Sequence, residues 1–207
     1  MTKLWATLAA LAVVAVVGGT AWYWKTLNRD SDPFAGCRQS QIAGGAETIG
    51  GPFELVDQTG KTVTDKDVIT KPSLVYFGYT FCPDVCPIDN MRNAEAADIL
   101  EERGIEATPI FITVDPKRDT PEVMADYVAN VHPRMIGLSG TEEQVAAASR
   151  AYKTFYKAHT EGGDFYLVDH TTFTYLVLPG HGFVEFFRRE ASPDEMANSV
   201  ACFVEAS

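Results

Sequence analysis

The hydropathy pattern divides the chain into an uninterrupted apolar run, a polar stretch and a region of short alternating elements. Leu4 to Trp24 is 21 residues without a charge, long enough to cross a bilayer core as a helix. Trp5 lies at one end and Trp22, Tyr23 and Trp24 at the other, where interfacial aromatics belong. Residues 1–24 are therefore expected to form a retained transmembrane anchor; a cleaved signal peptide is the competing reading, but the run exceeds an ordinary signal core. Residues 25–49 are polar and glycine-bearing, without periodicity, and read as a tether. Residues 50–207 carry the patterns of a folded domain.

Within that domain, Asp57 to Gly60 reads as a turn between short strands at Phe53–Val56 and Lys61–Thr64. Ser73–Tyr79 and Thr108–Asp115 are nearly all apolar and rich in β-branched and aromatic residues, as strands buried on both faces are. Helices are expected over Ile88–Arg103, over Glu122–Asn130 with Pro121 at its first position, and from Thr141, whose capping box with Gln144 opens a run to about Lys153. A short strand is expected at Met135–Leu138. Thr172–Leu178 and Phe183–Arg188 flank Pro179-Gly180-His181-Gly182, a hairpin signal, and Ser192-Pro193-Asp194-Glu195 caps a last helix. This order predicts an α/β domain with a mixed central sheet covered by helices. A cysteine pair between the first central strand and its helix makes the expected fold thioredoxin-like.

Charge and cysteine count narrow the chemistry. The net charge is −11 and no basic run occurs, which argues against a nucleic-acid partner. Four cysteines (Cys37, Cys82, Cys86, Cys202) are too few for a disulfide framework, so chemistry at one pair is expected. Cys82 and Cys86 lie in YFGYTFCPDVCP, where strand gives way to helix. Pro87 is tolerable only in a helix's first turn, so the thiols sit at the positive end of a helix dipole, which favours thiolate. With three residues between the cysteines, rather than the two of a thioredoxin motif, the sulfurs have a wider bite. That bite suits a shared metal and still allows a redox-active disulfide.

His132, His159 and His181 read as solvated surface residues. His170, in VDHTTFTYLV, occupies the loop that packs on the cysteine motif in a thioredoxin-like fold, and is the expected third ligand. The other reading is a structural histidine paired with Asp169 or a backbone carbonyl. Two thiolates and one imidazole suit copper better than zinc, for which no fourth protein ligand presents itself.

Four motifs in order, GGPFELVDQTGK, YFGYTFCPDVCP, VDPKRDTPE and VDHTTFTYLVLP, resemble the Sco/SenC family of copper-binding cytochrome c oxidase assembly proteins, over about residues 50–205. The resemblance implies one copper ion, Cu(I) or Cu(II), held by Cys82, Cys86 and His170. It further implies a metallochaperone that serves the dinuclear copper site of cytochrome c oxidase subunit 2. The alternative is a thiol–disulfide reductase, or a redox sensor, using Cys82 and Cys86. Other periplasmic copper chaperones or thiol reductases are expected partners. Asp115 and Arg118 match a further family motif, for which loop structure and helix capping are at least as good an account as a direct role. No Arg- and Ser-rich leader precedes the apolar run. The expected location is thus a bacterial inner membrane, with one pass and the C-terminal domain in the periplasm.

Overall fold

The computed structural model describes residues 13–20, 22–23, 32–40, 45–163 and 165–207. Residues 13–20 and 22–23 are helical. Among the described residues no helix is long and apolar enough to cross a membrane; much of the expected anchor, 1–12, 21 and 24, lies outside them.

In the compact unit from Cys37 to Ser207 the strands are β1 (Glu54–Asp57), β2 (Thr62–Thr64), β3 (Ser73–Gly78), β4 (Thr108–Thr113), β5 (Ile136–Ser139), β6 (Tyr156–Ala158), β7 (Val168–His170), β8 (Thr174–Leu178) and β9 (Gly182–Phe187). The helices are α1 (Asp65–Val68), α2 (Val85–Glu102), α3 (Pro121–Val131), α4 (Glu142–Ala151) and α5 (Pro193–Glu205). Seven strands form one mixed sheet in the order β2-β1-β5-β4-β3-β8-β9. β3 pairs in parallel with β4 and β4 with β5, while β8 runs antiparallel to β3. All six residues of β3 are buried, which is why that segment reads as a continuous apolar run. The mixed, helix-covered sheet agrees with the thioredoxin-like expectation.

The caps form as their sequences dictate. The hydroxyls of Thr120, Thr141 and Ser192 accept amide hydrogen bonds at the starts of α3, α4 and α5. α2 is different, because it is not amphipathic: Asp89, Asn90, Arg92 and Asn93 are buried beside Ala94, Ala96, Ala97 and Leu100. It lies between the sheet and α5, so both of its faces are covered. Its polar residues are consequently paired. Tyr76 donates to Asp89 (2.9 Å), and Arg92 donates to the Arg189 carbonyl (2.7 Å) and to Thr174 (3.2 Å).

The short helix α1 was not expected, and neither was the pairing of β6 with β7. β6 and β7 form a separate antiparallel ribbon in which Tyr156 pairs with His170. Each strand is only three residues long and a tight turn at Thr160–Gly162 interrupts the stretch between them, so no alternation builds up.

The polar stretch before the domain is partly held against it. Cys37 and Cys202 form a disulfide between this segment and α5. The buried carboxylate of Glu185, on the edge strand β9, accepts from the amides of Gln39 (2.8 Å) and Ser40 (3.2 Å) and from the Ser40 hydroxyl. Cross-linking residues this far apart removes much of the unfolded chain's freedom. Cys202→Ser should therefore cost about 2–5 kcal/mol in denaturant unfolding. An unchanged unfolding midpoint would mean that the staple adds nothing to the fold.

Candidate metal centre

The site begins where β3 stops. Gly78 is the last residue of β3, and the chain turns through residues 79–84 before α2 opens at Val85. A Cβ on Gly78 would lie 2.8 Å from Cys86 Sγ, 2.8 Å from the Phe111 ring and 2.9 Å from the Tyr76 ring. Only glycine lets the sulfur seat this close to the strand. Cys86 is fully buried and Cys82 nearly so, and both thiols are free.

The first turn of α2 acts directly on the outer sulfur. The Cys86 amide points at Cys82 Sγ, 3.5 Å away. The hydrogen bond from the Cys86 side chain, aided by the amides of Asp84 and Cys86, pulls the Cys82 thiol down to about 4. The same contact, together with burial, pushes the Cys86 thiol up. The pair thus holds one thiolate and one thiol rather than two equal groups.

His170 arrives from β7. Its Nδ1 lies 3.0 Å from the Thr171 carbonyl, which can only accept, so Nδ1 carries the proton. Nε2 then presents its lone pair, 3.3 Å from Cys86 Sγ. Tyr76 and Tyr79 meet the imidazole edge-on, with ring centroids 6.1 and 5.8 Å away. Of the two structural partners considered for His170, the backbone carbonyl is the one found; Asp169 instead pairs with His159 at 2.7 Å. One ligand atom each from Cys82, Cys86 and His170 lie within 4.8 Å of one another, and among the described residues no other side chain of their kind joins the group. The structure thus brings together the three residues that the sequence singled out.

The loop after β4 binds the two arms of the site together. Asp119, fully buried, accepts from the Thr80 amide (3.0 Å) and hydroxyl (2.5 Å) and from the Thr113 hydroxyl (2.6 Å). Asp115 accepts from the Tyr166 hydroxyl (2.7 Å) and from Arg118 Nε. Asp115 and Arg118 are thus bracing residues, whereas capping of α3 falls to Thr120. Sequence reasoning missed Thr80, Asp119 and Tyr166; the one available signal was two aspartates flanking Arg118 in a short loop between buried elements.

The remaining histidines separate. His181 is exposed and His159 half-buried, but His132 is not a solvated residue: it is buried, with Nε2 3.1 Å from Asp98 and Nδ1 accepting from the Arg134 amide. The turn at His132-Pro133 folds the imidazole back onto α2, where Nε2 meets Asp98, while Nδ1 takes the Arg134 amide of the turn itself.

Residues 42–205 match the family model described as SCO1/SenC. The chain belongs to the SCO1/SenC family. Among its SCO1/SenC relatives, Protein SenC of Rhodobacter capsulatus is 52% identical over 201 residues, covering 97% of this chain and 90% of that protein. The structure of Arabidopsis thaliana ScoI with copper bound is similar with a TM-score of 0.71 at 38% identity, over 76% of this chain and 99% of that one. Bradyrhizobium japonicum ScoI with copper bound has a TM-score of 0.67 at 39% identity, over 74% and 98%.

In this SCO1/SenC chain the site geometry has two measurable consequences. Gly78→Ala should destabilise the reduced protein by about 1–3 kcal/mol, because three close neighbours must shift; a neutral result in denaturant unfolding would remove Gly78 from the site. The second concerns pH. The folded Cys82 value of about 4 lies below the ordinary thiol value of 9.0, so between them the unfolded chain binds the extra proton. Stability therefore rises with pH across that window, and the Cys82 contribution is lost as pH falls through about 4. Ultraviolet thiolate absorbance of the reduced protein should stay level from about pH 8 to 5 and fall near pH 4, and Cys82→Ser should abolish that step. Absorbance that grows only above pH 8 would contradict the assignment.

Proposed function

We propose that this chain is a copper metallochaperone that holds one copper ion between Cys82, Cys86 and His170 and serves assembly of the dinuclear copper site of cytochrome c oxidase subunit 2. One observation carries the reading: two sulfurs and an imidazole lone pair converge within 4.8 Å on a preformed site. Thiolates select soft ions, and a set of three fits Cu(I) without the fourth ligand that a structural zinc site uses. Copper-bound relatives of the same fold support the choice of metal. The Cys82 thiolate is ready to bind, whereas Cys86 must give up its proton as the ion enters. The protein's own contribution is to hold the imidazole in one tautomer and to keep the inner sulfur away from water. In this reading residues 1–24 anchor the chain in a bacterial inner membrane, residues 25–49 link it, and residues 50–207 work in the periplasm, where copper chaperones or thiol reductases would load or re-reduce the site.

The unequal thiols favour a second role on the same residues. A low-pKa Cys82 beside a protonated Cys86 is the arrangement of an attacking and a resolving thiol. Cys82 thiolate would attack a partner's disulfide, Cys86 would displace the partner, and a Cys82–Cys86 disulfide would form. Two electrons would thereby pass to the partner's cysteines, with one proton from Cys86 and the second drawn from solvent.

Anaerobic Cu(I) titration against a competing chelator tests the first role. One equivalent should bind tightly, and His170→Ala and Cys82→Ser should each weaken it. Wild-type affinity in His170→Ala would refute the ligand assignment. Mixing with an apo or oxidised subunit 2 fragment separates the roles. The reduced copper form should transfer metal to the apo fragment, and a copper-free reduced form that cleaves the oxidised fragment's disulfide supports the reductase reading.

A further inference from the structure

The ribbon that carries His170 meets the core through few side chains, chiefly Val168, Tyr156 and the neighbouring Tyr166. A two-stranded hairpin is marginally stable on its own, and β6–β7 is not part of the main sheet. Its outer face is exposed: Phe155 and Leu167 are 61% and 53% accessible, and Phe165 is 81%. The position of the imidazole therefore depends on what fastens the inner face.

That face is fastened at Tyr166, four residues before His170, and the fastener is Arg118. The guanidinium lies 3.7 Å from the centroid of the Tyr166 ring, and Nη1 donates to the Tyr166 carbonyl at 2.9 Å. Nε donates to Asp115, whose other carboxylate oxygen takes the Tyr166 hydroxyl at 2.7 Å. Tyr166 is thus held at its ring, its carbonyl and its hydroxyl by one Arg–Asp pair. The same guanidinium lies 4.9 Å from the Phe81 ring and 5.6 Å from the Tyr79 ring. Phe81 adjoins Cys82, and Tyr79 packs edge-on against His170. Asp119, in the next position, ties the loop to Thr80. One loop thereby spans both ligand-bearing arms, and its planar cation fills the seam between them. A planar group that stacks on one side and donates in its plane is a demand that lysine cannot meet.

We propose that Arg118 is a positioning residue that sets His170 over the cysteine pair, acting through Tyr166 and the base of the β6–β7 ribbon. Its hydrogen bonds go to Asp115 and the Tyr166 carbonyl rather than to a ligand residue, and the proposal rests on the reading of His170 as a ligand. Its role in binding is to keep the imidazole at its post before the ion arrives, so that no ordering of the ribbon is needed during capture.

The test is a double-mutant cycle on Cu(I) affinity. Arg118→Ala should weaken binding about tenfold, the scale on which loss of an outer partner acts. The same substitution in a His170→Ala background should produce no further loss, because the arginine acts only through the imidazole. Arg118→Lys, which keeps the charge and serves if the alanine variant folds poorly, should rescue little. Tyr166→Phe, which keeps the stacked ring and loses only the bond to Asp115, should show a smaller loss in the same direction. In the metal-free protein, nitrogen NMR should show a single Nδ1–H tautomer for His170 that becomes broadened or mixed in Arg118→Ala. Equal losses in both backgrounds, or full affinity with an unchanged imidazole signal in Arg118→Ala, would overturn the proposal. If His170→Ala itself bound copper like the wild type, the ligand assignment would be what failed.

Discussion

The hydrogen bond from Nδ1 of His170 to the Thr171 carbonyl determines which imidazole nitrogen faces the cysteines. Because a carbonyl can only accept, the proton stays on Nδ1, and Nε2 is left as a base beside the Cys86 sulfur. The other parts of the site are arranged around that lone pair. Gly78 leaves room for the inner sulfur, the first turn of α2 stabilises charge on the outer one, and two tyrosine rings confine the imidazole. Reversing the tautomer would leave all three donors in place, yet it would turn a hydrogen toward the sulfurs where a ligand is needed.

The polar interior of α2 follows from the same arrangement. A helix that starts at a buried sulfur pair must run through the centre of the domain, with the sheet on one side and α5 on the other. Asp89 lies one turn after Cys86 and receives the Tyr76 hydroxyl. Arg92, one turn further, joins α2 to the segment after β9. Buried charges of this kind cost desolvation unless they are paired, and here each is paired with groups from another element. The network ties α2 to β3, to β8 and to the segment after β9.

Most of the architecture was legible because its signals are local. The buried strands announce themselves as apolar runs, Thr120-Pro121, Thr141 and Ser192-Pro193 mark helix starts, and Pro87 restricts where α2 begins. The cysteine pair and His170 were legible once the fold was assumed, since topology alone brings residues 84 apart in sequence to one end of the sheet. The β6–β7 ribbon was not, because three-residue strands leave no periodicity to read. The burial of His132 was hidden for a related reason: Asp98, which meets its Nε2, lies 34 residues earlier on α2. The roles of Asp119 and Tyr166 are likewise tertiary. An aspartate in a loop and a tyrosine beside Phe165 look ordinary until the chain places them against Thr80 and Arg118.

The Cys37–Cys202 bond has a topological consequence as well as an energetic one. It closes a covalent ring that contains the whole of the sheet, both site cysteines and His170. A single backbone cut anywhere inside that ring, including one in the exposed turn between β6 and β7, yields no separate fragments while the disulfide is intact. The chain would gain one water and keep its three donors on one covalent body, and separate fragments would appear only after reduction. The domain is in this respect a cyclic molecule.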